Sequence, residues 1–275
     1  MNKKRRMKRV IAAGVALAMA LACCGCGGKQ QQSEESAENL PKIIVGSDNY
    51  PPYNYEDANG EPTGIDAELA IEAFRRMGYE VEFKYINWEE KKKLVENGEI
   101  DCIWGSFSIN GREDQYHWTD PYMISRQVVA VRADSSIYSL QDLKDRRIAV
   151  QSTTKPEEIF EKHEDSRIPE LEEVISIQNR ELLYPFLSKG YVDAIAAHET
   201  SILQGMKDYG LEYRILDEPL LIVGLGVAFS LNDDRGIEKE LSRTFEQMRE
   251  DGTMEKIIGK YLDHPQTYLW EETNE

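Results

Sequence analysis

From Lys42 onward, short runs of β-branched and aromatic residues alternate with stretches whose apolar positions repeat at helical spacing. The first half reads "KIIVGSD", "DAELAIEAFRRMG", "VEFKYIN", "WEEKKKLVENG" and "DCIWGS", which is strand, helix, strand, helix, strand. The first helix sets Ala67, Ala70, Phe74 and Met77 on one stripe and stops at Gly78. The second has Asn87 ahead of it as a cap and Gly98 behind it, so both ends of each helix are signalled. The same order then returns in "RIAVQS", "KPEEIFEKH", "VISIQ", "RELLYPFLSKG" and "DAIAAH".

A short echo marks the repeat. Gly98-Glu99-Ile100-Asp101-Cys102-Ile103 corresponds to Gly190-Tyr191-Val192-Asp193-Ala194-Ile195, at matching places in the two halves. Between the halves lies "VVAVRADSS" and after the second lies "LIVGLGVAFS", both β-rich. Two crossings mean that the chain leaves a first α/β lobe, completes a second and returns, ending in helical residues 235–262. The predicted class is α/β, with two Rossmann-like lobes joined by two crossing strands.

The N-terminus changes the compartment. Six basic residues precede an apolar run at residues 10–21, followed by small residues and cysteines, the pattern of a secretion signal. The run falls short of the roughly 20 residues that span a bilayer. Cys23, Cys24 and Cys26 cluster at the cleavage region and only Cys102 lies in the folded part, so no disulfide framework is available. "ALAC" at residues 20–23 resembles a bacterial lipobox, which makes Cys23 the expected lipidation site, with Cys24 and Cys26 as alternatives. Residues 23–41, rich in Gln, Ser and Glu, read as a flexible tether. The formal charge is −17, and loss of the six signal-peptide cations takes it to −23. Nucleic acid is thereby an unsuitable partner.

The candidate chemistry lies at strand ends, where open α/β sheets bind ligands. "SFSINGR" follows one such strand, setting Ser106 and Ser108 before Arg112, and "QSTTKPEE" follows another, where Ser152, Thr153 and Thr154 lead a helix. Helix-terminal amides and hydroxyls favour an anionic group, and an arginine clamps a carboxylate with two parallel bonds. These donors are expected to stand uncommitted until a ligand carboxylate fills them.

Residues 42–262 resemble the extracytoplasmic solute-binding proteins for polar amino acids that serve ABC importers. The likeness is carried in order by "YPPYNYEDANGEPTGID", "WTDPYM", "SLQDLKDRRIAVQSTT" and "EDGTMEKIIGKYL". It implies the type II periplasmic-binding-protein architecture, with residues 1–22 a lipoprotein signal peptide, 42–130 and 224–264 one lobe, 131–223 the other, and 265–275 a tail. It also implies an aromatic pocket wall from Tyr50, Tyr53 and Trp88, with Phe107 beside it, ligand contacts from Ser106 and Ser108, and a carboxylate-binding role for Arg112. The family usually closes its "DAI" strand with an aspartate that receives the ligand ammonium; here that residue is His198. Glu199 and Asp48 are the alternative acceptors, and a pocket-facing His198 would make affinity change between about pH 5.5 and 7.5.

The implied partners are a small ligand, an amino acid or related carboxylate, an ABC permease, and the cell membrane through the lipid anchor; a monomer is expected. No cofactor and no metal site is expected, since His117, His163, His198 and His264 are scattered. A dehydratase on the same fold and a ligand-sensing module are the rival classes. Against the first, Cys102 sits inside an apolar strand and no serine occupies a glycine-flanked turn. Against the second, no transmembrane helix or further domain follows the second lobe before Glu275.

Overall fold

The computed structural model describes residues 40–270, Glu164 excepted. The expected signal peptide, Cys23 and all of the expected tether but Leu40 and Pro41 lie outside the described residues. In chain order the elements of the first half are β1 (Lys42–Ser47), β2 (Tyr55–Glu56), β3 (Pro62–Thr63), α1 (Ile65–Arg76), β4 (Glu80–Tyr85), α2 (Lys91–Glu96), β5 (Cys102–Ser108) and β6 (His117–Trp118). Then come β7 (Met123–Arg132), β8 (Arg147–Gln151), α3 (Lys155–Lys162), β9 (Glu173–Ile177), α4 (Leu183–Ser188), β10 (Ala194–His198), α5 (Glu199–Tyr209) and β11 (Tyr213–Ile215). The chain closes with β12 (Leu221–Phe229), α6 (Ile237–Glu250) and α7 (Thr253–Ile258).

One curled sheet runs β4-β1-β5-β12-β7-β10-β8-β9. In the first half β1 lies between β4 and β5, all parallel; in the second β8 lies between β9 and β10, again all parallel. The halves meet at β7 and β12, which pair antiparallel from Leu221 opposite Gln127 to Leu225 opposite Met123. Beyond that pair β12 continues along β5, through a bulge between Gly226 and Ala228, while β7 continues along β10. The two crossing segments are therefore hydrogen-bonded to each other, and β7 begins earlier than its apolar run indicates because residues 123–127 have β12 as a partner.

The sequence echo is the same device built twice. The Asp101 carboxylate accepts the Ile44 amide of β1 at 2.7 Å, and the Asp193 carboxylate accepts the Arg147 amide of β8 at 2.9 Å. Asn87 and Asn179 likewise each accept from the amide two residues on, at 3.2 and 3.0 Å, capping a single turn of 3₁₀ helix. Each aspartate satisfies a strand amide that no neighbouring strand reaches.

Strand β5, "CIWGSFS", is buried throughout, lying between β1 and β12 with side chains packed on both faces. Alternate residues serve opposite faces. Trp104 packs with Phe74 of α1 and Phe245 of α6, at centroid separations of 6.0 and 5.4 Å. Ile103 and Phe107 turn the other way, toward Trp88 and Val95. Residues 265–270 do not lie free: Leu269 bridges to Met123 at the start of β7, and the Trp270 ring lies against Gly224 of β12.

Candidate functional site

Where the two halves face each other a cavity opens, walled by aromatic, hydroxyl and cationic side chains. Nine of the twelve residues singled out from sequence line it: Tyr50, Trp88, Ser106, Phe107, Ser108, Arg112, Thr153, Thr154 and His198. Asp48, Tyr53 and Ser152 do not. Gln127, Gln151, Lys155, Arg180, Leu183 and Tyr184 complete much of the wall.

The serines belong to β5 itself and do not follow it. Ser106 achieves its exposure to the cavity through a left-handed backbone, φ 51°, a conformation held by two neighbours. Its amide donates to Asp66 Oδ2 at 2.6 Å, and its carbonyl faces His198 Nε2 at 3.2 Å. Asp66 also accepts from the Tyr122 hydroxyl at 2.7 Å, and burial pushes its carboxyl up to about 7. The Ser106 hydroxyl has no partner within the protein, as the sequence leads one to expect.

The second wall differs from that expectation. Thr153 is also left-handed, φ 57°, but its amide is taken by Glu157 at 2.5 Å. The Thr154 hydroxyl donates to the Gln151 carbonyl at 2.6 Å, and Ser152 donates to Glu89 at 2.7 Å. Thr153 Oγ1 accepts from Lys91 at 2.8 Å. Ser152 and Thr153 are thus engaged by the charged Glu89 and Lys91 of the first half, and Thr154 by the Gln151 carbonyl of its own half.

Arg112 lies against the Phe107 ring, its Cζ 5.3 Å from the centroid, and reaches Glu158 of α3 at 3.4 Å. Glu158 also pairs with Lys155 at 3.1 Å and Lys162 at 2.7 Å. Opposite, Arg180 stacks on Tyr50 with 3.1 Å from Cζ to centroid and donates twice to Asp48 Oδ2, at 2.8 and 3.0 Å. Asp48 is thus an ion-pair partner at the cavity's edge, and the cations Arg112, Lys155 and Arg180 are the charged groups that line it.

His198 ends β10 and caps α5, and it is also a wall of the cavity. Ser125 and Gln127, two residues apart on β7 and so on one face, meet its ring at 2.7 Å on Nδ1 and 2.9 Å on Nε2. Burial, reinforced by the Arg180 charge, pushes the imidazole down to about 3. This corrects the expectation of a titration between pH 5.5 and 7.5: the ring is neutral throughout that window. Glu199, the first alternative acceptor, is turned away to Arg126 at 2.8 Å.

Three cations were missed in sequence: Lys155 at the start of α3, Arg180 and Lys91. Arg180 follows strand β9, whose carboxyl end opens on the same crevice as β8, and that position was the signal. Lys91 sits in a lysine run that reads as a solvated face, yet it is 5% exposed and donates to Trp88 O and Thr153 O, each at 3.2 Å. Burial pushes its ammonium down to about 7.

Tyr53 is fully buried beneath the cavity, its hydroxyl 2.6 Å from Thr200 Oγ1 and 3.2 Å from Ser125 Oγ. It joins the first half to α5 of the second and to β7. Tyr53→Phe is expected to cost about 1 kcal/mol, a melting decrease of about 2–4 °C, with ligand affinity held within about threefold. Scanning calorimetry and titration calorimetry on the same preparation check both parts.

A sequence model of the bacterial extracellular solute-binding proteins, family 3, matches residues 43–264. The histidine-binding periplasmic protein of Salmonella typhimurium is 29% identical over 232 residues, covering 81% of this chain and 88% of its own. Among solved structures, an ancestral arginine-binding protein bound to arginine is 26% identical, with a TM-score of 0.74 over 82% of this chain and all of that one (100%). A histidine kinase sensor domain with similarity to periplasmic binding proteins shares the fold at 23% identity, with a TM-score of 0.75 over 85% of this chain and 99% of its own. With its type II fold and a family match over most of its length, the chain belongs to the bacterial extracellular solute-binding proteins of family 3.

Proposed function

We propose that this protein is the extracytoplasmic, lipid-anchored capture component of an ABC importer, taking an amino acid or related carboxylate between two closing lobes and presenting it to a permease. The observation that carries the reading is the cavity between the halves, lined by Arg112 from one side and Arg180 and Lys155 from the other. The lobes are residues 42–130 with 224–264, and 131–223, turning about the β7–β12 pair, with residues 265–275 as the tail. Ligand docks by its carboxylate on Arg112 with Ser106 and Ser108, the aromatic rings of Trp88, Phe107 and Tyr50 enclose its body, and Thr153 and Thr154 arrive with the second lobe.

Closure has its own supports. Asn49 donates to Glu181 at 2.6 Å, Gln178 to Glu89 at 2.6 Å, and Gln151 to Asp48 at 2.8 Å. Capture is favoured over catalysis because His198 is neutral with both ring nitrogens engaged and Glu199 is held by Arg126, leaving neither poised to move a proton. Attachment through Cys23, a monomeric state and the permease partner belong to the same reading.

A thermal-shift screen of the protein against the common amino acids and small carboxylic acids tests it. A ligand at 100 times its dissociation constant is expected to stabilise by about 2.7 kcal/mol. Small-angle scattering should show a smaller radius of gyration with that ligand. Silence across the set, or turnover of the ligand, sinks the reading.

A further inference from the structure

We propose that Arg180 sets the specificity of the cavity: its guanidinium fills the place a cationic side chain would take, so α-amino acids with uncharged side chains are selected over arginine and lysine. The inference rests on the capture reading and names its ligand class.

The first ground is a receptor for a planar cation, already filled by the protein. Tyr50 offers an aromatic face, and Arg180 Cζ lies 3.1 Å from its ring centroid. Asp48 offers the counter-charge, its Oδ2 accepting from Arg180 Nη2 at 2.8 Å and Nε at 3.0 Å. Tyr50 and Asp48 come from the first half and Arg180 from the second, so the slot fills across the crevice. Ring and carboxylate together are what a ligand guanidinium needs. Both are taken.

The second ground is position. Trp88, Gln151 and Arg180 line both the cavity and an outer crevice, whereas Asp48 and Glu181 line the crevice alone. A side chain leaving the cavity on that side meets Arg180 and Gln151 before either carboxylate. To reach Asp48, a ligand cation must displace Arg180 from both partners and leave a buried guanidinium unpaired. An anionic side chain gains little there, because Asp48 already offsets the Arg180 charge. An uncharged side chain breaks nothing: it meets the aromatic rings and Gln151 Oε1, which is buried without a partner while its Nε2 donates to Asp48 at 2.8 Å. That oxygen accepts a hydroxyl or amide N–H with no charge to offset.

Titration calorimetry tests this on the purified protein, freed of co-purifying ligand, with the common L-amino acids and L-citrulline, the uncharged counterpart of arginine. In the wild type the tightest ligand should carry an uncharged side chain, with arginine and lysine weaker by at least about a hundredfold. Arg180→Ala should improve arginine relative to citrulline by at least about tenfold, and adding Asp48→Asn should abolish that gain. If a melting curve shows that Arg180→Ala does not fold, Arg180→Met keeps the stem on Tyr50 without the charge and takes its place. A charged amino acid that leads in the wild type overturns the selectivity and leaves capture intact. So does an equal loss for arginine and citrulline in the Arg180 variant, the mark of a contact that only holds the halves together. Silence from every amino acid in the wild type takes the capture reading and this one together.

Discussion

Arg112→Ala is expected to weaken ligand binding by at least about thirtyfold while leaving the fold nearly as stable as before. The guanidinium is 9% exposed and lies on the Phe107 ring beside the unpartnered Ser106 hydroxyl's strand, so a carboxylate docked on it is desolvated. Truncating one partner of such a buried charged pair costs about 2–5 kcal/mol, and each 1.4 kcal/mol is about tenfold in affinity. The fold tolerates the loss because Glu158 keeps Lys155 at 3.1 Å and Lys162 at 2.7 Å when Arg112 is removed. Arg112→Lys should recover only part of the affinity, since an ammonium keeps the charge but not the planar fork. Calorimetric titration beside a melting curve separates the two effects. A dissociation constant within about threefold of wild type would remove Arg112 from the ligand's carboxylate.

The elements were legible because their signals are local. The strip Ala67, Ala70 and Phe74 faces the core with all three residues fully buried, Asn87 caps where its position indicates, and the Gly98 and Gly190 echoes fall at equivalent turns. The arrangement of two halves followed from that order of elements. The cavity was less legible, for a physical reason: which donors stay uncommitted depends on the opposite half. Nothing near Ser152 or Thr153 in sequence announces Glu89 or Lys91, more than 60 positions away, as their partners. The neutral state of His198 is equally non-local. It arises from burial under residues of β7 and β5 together with the Arg180 charge, none of which is adjacent in the chain. Tyr53, chosen as a pocket aromatic, has the burial of one but spends its hydroxyl on the interface between halves.

Ser106 is held by two ionisable groups whose pH dependences oppose each other, and this gives the largest expected effect on stability. His198 faces its carbonyl with a pKa of about 3, below the ordinary value of 6.5. The native state therefore binds fewer protons there than the unfolded state, so the stability it contributes is full above about pH 6.5 and is lost as pH falls toward 3. Asp66 binds its amide with a pKa of about 7, above the ordinary 3.8. Its contribution is full below about pH 3.8 and is lost as pH rises through 7. Between about pH 4 and 6.5 the two slopes have opposite sign, each about 1.4 kcal/mol per pH unit, and cancel in the wild type. Single substitutions unmask them. From pH 6.5 to 4.5, His198→Asn should gain roughly 2–3 kcal/mol relative to wild type, and Asp66→Asn should lose about as much. Urea midpoints at the two pH values measure both changes, because a shift at constant slope is a change in stability alone. Parallel pH profiles for the two variants would show that neither group is perturbed. The divergence would show that one strained residue at the ligand site is stabilised from both sides of its peptide, and that the site stays level in energy across acid conditions because the two perturbations are matched.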